Sequence, residues 1–164
     1  MKKPNNLLSC AVLASASLAF GGVAIAAAPN LTATPVLTKL ENPWDMAFLP
    51  DGAMFYTEKC HGLSVRLPSG GVNKLLGMKD TQGYADTAGD LFCDGQAGMN
   101  GVAVDPEFSK NGFVYVYSTS SKSSPQTNRV IRVKVNGDLS KVSDRTDIVD
   151  DIPYKTAASD HPFG

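Results

Sequence analysis

The chain has 164 residues, 43% hydrophobic and 19% charged, with 15 basic side chains against 16 acidic ones. A near-neutral balance without a stripe of Lys and Arg argues against a nucleic-acid partner.

Residues 1–28 read as a secretory signal peptide. Lys2 and Lys3 give a positive start, Leu7 to Phe20 is largely apolar, and Ala24, Ile25 and Ala26 form a small-x-small cleavage signal. The run is too short and too rich in Ala and Ser for a transmembrane span. Cys10 precedes the apolar core instead of following it, which excludes a lipidation box. The expected destination is a bacterial periplasm or the exterior. Without the leader, 13 basic and 16 acidic residues remain, a formal charge of −3, with Cys60 and Cys93 as the two cysteines. In an oxidising compartment they are expected to form one disulfide, contributing about 3–4 kcal/mol in the chain-entropy account. Two free buried thiols are the alternative.

From residue 29 onward the pattern is all-β. Trp44 to Leu49, Met54 to Glu58 and Leu63 to Leu67 are short runs of aromatic and branched residues. They are separated by Pro50-Asp51-Gly52, His61-Gly62 and Pro68 to Gly71, all turn chemistry. Trp44 reads as core packing. Lys79 to Asp94 is polar, rich in Gly, Asp and Thr, and too long for a tight hairpin, so a functional or flexible loop is expected. Three further strands follow, in "GVAVD", "FVYVYSTS" and "RVIRVKV", the last ending at an Asn136 to Asp138 hairpin signal. The serine-rich Ser118 to Asn128 reads as a polar loop.

Two segments repeat. Met46 to Asp51 aligns with Val102 to Glu107 at an offset of 56, and Gly52 to Tyr56 aligns with Gly112 to Val116 at an offset of 60, a four-residue insertion lying between. Each copy is an apolar strand, a Pro-acid turn, a Gly and an aromatic-rich strand, the signature of a propeller blade. A propeller closes with roughly 4–8 blades, and this length holds two and the start of a third. The expectation is therefore an incomplete, N-terminal part of a longer propeller domain over 29–164.

The stretch "CDGQAGMNG", Cys93 to Gly101, is the candidate site. Its glycines are spaced G-x-x-G-x-x-G and precede a strand, whereas a dinucleotide or phosphate loop follows one and opens a helix. Crowding at a propeller axis explains the glycines. It leaves Gln96 and Asn100, two amides at a strand entrance, free to hydrogen-bond a polar ligand. Cys60-His61 lacks the upstream cysteine of a haem attachment, position 57 being Thr57, and no metal site is assigned to these residues. His161 reads either as a solvated loop residue or, oriented by the neighbouring Asp160, as a base.

"NPWDMAFLPDGAMFYTEK", "DGQAGMNGVAVDPEFSKNGFVYVYST" and "NRVIRVKV" resemble the soluble glucose/sorbosone dehydrogenase family, quinoprotein aldose sugar dehydrogenases that use pyrroloquinoline quinone (PQQ). The resemblance runs from Leu40 to about Pro153, and the second stretch is its specific part. It implies a six-bladed β-propeller, PQQ on the channel axis, and calcium whose ligands fall outside this sequence. It also implies hydride transfer from a sugar or related alcohol to the quinone, and a respiratory electron acceptor. By position, Gln96 matches the glutamine lining the family's sugar and cofactor pocket. Asp160 to Gly164 matches the start of the Asp-His-x-x-Gly-Arg segment that carries the catalytic histidine, although Pro162 and Phe163 fit it poorly and a later histidine is the alternative base. The Cys60/Cys93 pair and the long Lys79 to Asp94 loop depart from the family pattern and leave the substrate open. The alternatives to an enzyme are a non-catalytic propeller that binds a ligand or protein, and an inactive truncated product.

Overall fold

The computed structural model describes residues 28–153. The signal-peptide reading falls on residues 1–28, almost all outside that range, and His161 also lies outside it. The chain divides into Met1–Thr34 and Pro35–Gly164. Residues 28–34 of the first part form no helix or strand, and every strand lies in the second.

Two sheets make up the second part. The first contains β1 (Pro43–Phe48), β2 (Met54–Glu58), β3 (Gly62–Arg66), β4 (Val72–Met78) and β5 (Asp86–Ala88) in that order. The second contains β6 (Met99–Val104), β7 (Phe113–Ser120), β8 (Thr127–Val135) and β9 (Val142–Pro153). Each is an antiparallel meander, and short turns suffice because sequential strands are neighbours. The first sheet adds β5 in parallel to β4. A single turn of helix, α1 (Phe108–Asn111), interrupts the β6–β7 connection.

Period-two alternation decides which faces meet. Phe55, Leu63 and Val65 of the first sheet are fully buried, as are Val114, Val116, Ile131 and Val133 of the second, and all belong to one apolar cluster. Each such side chain contributes about 1.5–3 kcal/mol by leaving water. Phe55 meets Phe108 of α1 edge-on, with ring centroids 5.8 Å apart. The sheets therefore stack face to face as two blades.

Several elements differ from the sequence expectation. Trp44, expected in the core, is 47% exposed, with Met46 and Phe48 also exposed along the same strand. The turn after β8 is wider than a two-residue hairpin: Asn136 N–H donates to the Lys141 carbonyl at 3.1 Å, and Val135 pairs with Val142. The segment expected as a loop holds β5. It is fixed by Tyr84, whose ring packs on the Gly62 and Gly77 backbone, and by the Ala85 N–H bonded to the Lys74 carbonyl at 3.0 Å. Burial pushes the Tyr84 hydroxyl up to about 12.

Candidate functional site

The residues read as a site lie where β6 begins. Asp94 to Ala97 form a tight turn closed by Ala97 N–H donating to the Asp94 carbonyl at 2.8 Å. The turn projects Gln96, which is half-buried, and the chain then drops into β6 at Met99. Asn100 follows on that strand and is 2% exposed. Its Nδ2 donates to the Gln96 carbonyl at 3.3 Å, so the two amides belong to one local unit. Its Oδ1 is buried with no hydrogen-bond partner among the described residues. Leaving such a group unpaired costs about 1–3 kcal/mol. That is the kind of penalty a protein carries where a ligand donor completes the bond.

The unit is held against the tip of the β2–β3 hairpin. Met99 N–H donates to the Lys59 carbonyl at 2.8 Å, and Lys59 Nζ donates to the Gly95 carbonyl. Thr57 Oγ1 donates to the Asn100 carbonyl. Gly98 is required by this approach, because a Cβ there would collide with the Lys59 backbone. Cys60, at the hairpin tip, is joined by a disulfide to Cys93, with Cα atoms 5.4 Å apart. At the bulge in β1, Asp45 Oδ2 accepts the Val102 N–H at 2.9 Å and so ties the innermost strands of the two sheets together.

The segment leading into the turn is anchored to the second sheet. Phe92 N–H donates to the Thr119 carbonyl at 3.0 Å, Ser121 N–H to the Asp90 carbonyl at 2.7 Å, and Ser120 Oγ to Asp90 Oδ2 at 2.8 Å. Arg145 grips the Asp90 carboxylate with both terminal nitrogens, one bond measuring 2.8 Å. Partial burial pushes the Asp90 carboxyl up. The bonds from Arg145 and Ser120 outweigh burial and bring it down to about 2.

Neutral amides are suited to orienting hydroxyl or carbonyl groups, not to moving protons. The histidine among the described residues, His61, lies with its Nε2 3.4 Å from Glu41 Oε2 and its Nδ1 3.7 Å from Glu58 Oε1. Among the described residues no group of three His, Cys, Asp or Glu is arranged to hold a metal ion. A groove of about 560 Å³ lies at the opposite end of the strands between the two Pro-acid turns. Phe48, Pro50, Val104, Pro106 and Phe108 line it, and its acids are spent locally. Asp51 accepts the Ala53 N–H, and Asp105 accepts from Glu107 N–H, Asn111 Nδ2 and Tyr115 OH.

Thr57, Lys59 and Asp45 were not legible as part of this end of the molecule. The Lys59–Gly95 bond spans 36 positions, and no local pattern announces a contact at that separation.

Two stacked four-strand meanders, with glycine-rich turns at the inner strand entrances, define the chain as a β-propeller segment. It matches the Glucose / Sorbosone dehydrogenase family over residues 40–164, and it belongs to that family. An uncharacterized protein of Synechocystis is 34% identical over 112 residues, covering 67% of this chain and 26% of the relative. The aldose sugar dehydrogenase YliI of Escherichia coli is 29% identical over 143 residues, covering 86% and 36%. Among solved structures, the PQQ-bound form of aldose sugar dehydrogenase from Streptomyces coelicolor superposes with a TM-score of 0.58 at 21% identity, over 73% of this chain and 33% of that one. The chain thus spans about a quarter to a third of the length of the relatives it matches.

Proposed function

We propose that this chain is the N-terminal part, about the first two blades, of a six-bladed propeller. In the complete protein that propeller oxidises a sugar or related polyol or alcohol by hydride transfer to PQQ. The observation that carries the reading is the Gln96–Asn100 unit: a half-buried amide at the mouth of an inner strand, backed by a buried amide oxygen with no partner among the described residues. Membership of the family, and a PQQ-bound aldose sugar dehydrogenase among its structural neighbours, support the chemistry.

PQQ is a tricarboxylate quinone, and its cradle needs both hydrogen-bonding groups and cations. Gln96 suits the first need and is the residue that would face it, with Asn100 packed behind. Lys59 is taken by the Gly95 carbonyl, and Lys122, Arg129 and Arg145 are paired with carboxylates of their own surroundings. The described residues therefore fit one wall of such a site. When bound, the quinone supplies the hydride acceptor. The part assigned to this chain is to orient a substrate hydroxyl through the Gln96 amide and to exclude water behind it through the packed Asn100.

His161 is proposed as the base that removes the hydroxyl proton, with a later histidine as its rival. Calcium is proposed to bind outside the described residues. Residues 1–28 are proposed to export the protein to a periplasm or beyond, where a respiratory acceptor takes the electrons. No helix among the described residues is long and apolar enough to cross a membrane.

The test is expression of the complete protein with its leader, loading with PQQ and Ca²⁺, and dye reduction across an aldose and polyol panel. Turnover that depends on PQQ is expected. A protein that neither reduces dye nor takes up PQQ absorbance is the non-catalytic propeller instead. Gln96→Ala is expected to lower kcat roughly tenfold or more while stability stays within about 0.5 kcal/mol. A comparable loss of stability would make Gln96 a folding residue only.

A further inference from the structure

We propose that Lys59 is a positioning residue for Gln96, gripping the chain on either side of it, at Gly95 and at Met99. This rests on the reading of Gln96 as a substrate-facing amide, and it identifies what fixes that amide in place.

Little holds Gln96 from within its own segment. The turn has its Ala97–Asp94 bond and the Asn100 Nδ2 bond to the Gln96 carbonyl. No hydrogen bond of the Gln96 side chain is made within the described residues. The turn must therefore be placed from outside, and Lys59 does so twice. Its backbone carbonyl takes the Met99 N–H, fixing the downstream end, and its ammonium takes the Gly95 carbonyl, fixing the upstream end. Gln96 lies between the two bonds. A charge-assisted bond from ammonium to carbonyl is stronger than a neutral one.

The hairpin that carries Lys59 is itself fixed. Cys60, its next neighbour, is linked to Cys93, and Thr57, two residues earlier, holds the Asn100 carbonyl. Thr57, Lys59 and Cys60 thus form a three-point grip on Cys93 to Asn100, in which the Lys59 side chain alone reaches the residue adjoining Gln96. Displacing a substrate-orienting group by an ångström can cost as much as 10²-fold in rate.

The experiment uses the complete protein, with Lys59→Met to remove the ammonium at similar length and Lys59→Arg to restore it. Lys59→Met is expected to lower kcat/KM roughly tenfold, Lys59→Arg to recover most of it, and Lys59→Met added to Gln96→Ala to cause little further loss. Full additivity of the two substitutions would overturn the proposal. A second measurement does not depend on activity: hydrogen exchange of a peptide spanning 93–101, compared with peptides from β7 and β8. In Lys59→Met the first is expected to exchange roughly tenfold faster while the others do not change. Unchanged exchange at 93–101 overturns the grip itself. A wild-type protein that oxidises nothing on the panel, yet shows the exchange difference, leaves the grip standing and removes only the catalytic reading of Gln96.

Discussion

The β1–β2 and β6–β7 hairpins repeat one another down to their irregularities. Pro43 with Glu58 and Met46 with Tyr56 flank a bulge in the first, and Met99 with Ser118 and Val102 with Val116 flank the same bulge in the second. Inner strands are displaced by 56 positions and second strands by 60, so Trp44 and Asn100 occupy equivalent places. Their surroundings are opposite. Trp44 is about half exposed, whereas Asn100 is covered by the Thr57–Cys60 tip of the sheet before it. Asp45 at the first bulge becomes Gly101 at the second, where a Cβ would press on Tyr117 Cβ at 3.3 Å, and the Asp45 carboxylate crosses to the Val102 N–H. The backbone repeat builds the blade. Differences at equivalent positions build the contact between blades, and the candidate site sits on that contact.

The largest way to break this arrangement is to cut its covalent tie. Replacing Cys60 and Cys93 by Ser together is expected to cost about 3–4 kcal/mol by freeing a loop of 33 residues in the unfolded chain. Denaturant unfolding of the complete protein, with and without reductant, measures it. An equal response of wild type and double variant to reductant would show that the bridge contributes nothing.

A second test uses equivalence directly. Gly52 and Gly112 end the two Pro-acid turns, both with left-handed φ, at +89° and +70°. A Cβ on Gly52 meets nothing within 4 Å, but on Gly112 it would lie 2.6 Å from the Val135 carbonyl. Gly52→Ala should therefore cost only the backbone strain, about 1–2 kcal/mol, and Gly112→Ala about 1–3 kcal/mol more from overpacking. Equal losses would mean that the second hairpin yields as freely as the first.

The smallest effect concerns acid. The Asp90 carboxyl is held at about 2, below its unfolded value of 3.8. Its contribution is complete above the unfolded value and is lost as pH falls from about 4 toward 2. After allowance for solvent screening this is about 1–2 kcal/mol. Asp90→Asn should flatten the stability profile in that window, and a profile parallel to wild type would separate Asp90 from the anchoring of the turn.

Much of this architecture is written locally. The change of offset from 56 to 60 is α1 itself, four residues set into one turn. Strands β2 and β7 follow directly from their runs of aromatic and branched residues. By contrast, β4 ("VNKLLGM") and β9 ("VSDRTDIVDDIP") lack clear alternation, because their pairing comes from the neighbouring strand rather than their own composition. The exposure of Trp44 was hidden for the same reason: an aromatic residue in a β pattern signals burial, but burial is decided by what packs beside it. Gln96 and Asn100 were readable as unusual residue types among glycines. Lys59 was not, since its role exists only after two distant segments meet.

The short β5 strand has a consequence for how copies of this protein meet. An open sheet edge is a row of unpaired N–H and carbonyl groups, ready to accept a strand from another molecule. By lying parallel along Leu76 to Met78, β5 takes up the last three residues of the outer edge of β4 and offers only three residues in their place. The segment that looks in sequence like a spare loop acts as an edge guard, and it favours solubility over strand-to-strand self-association.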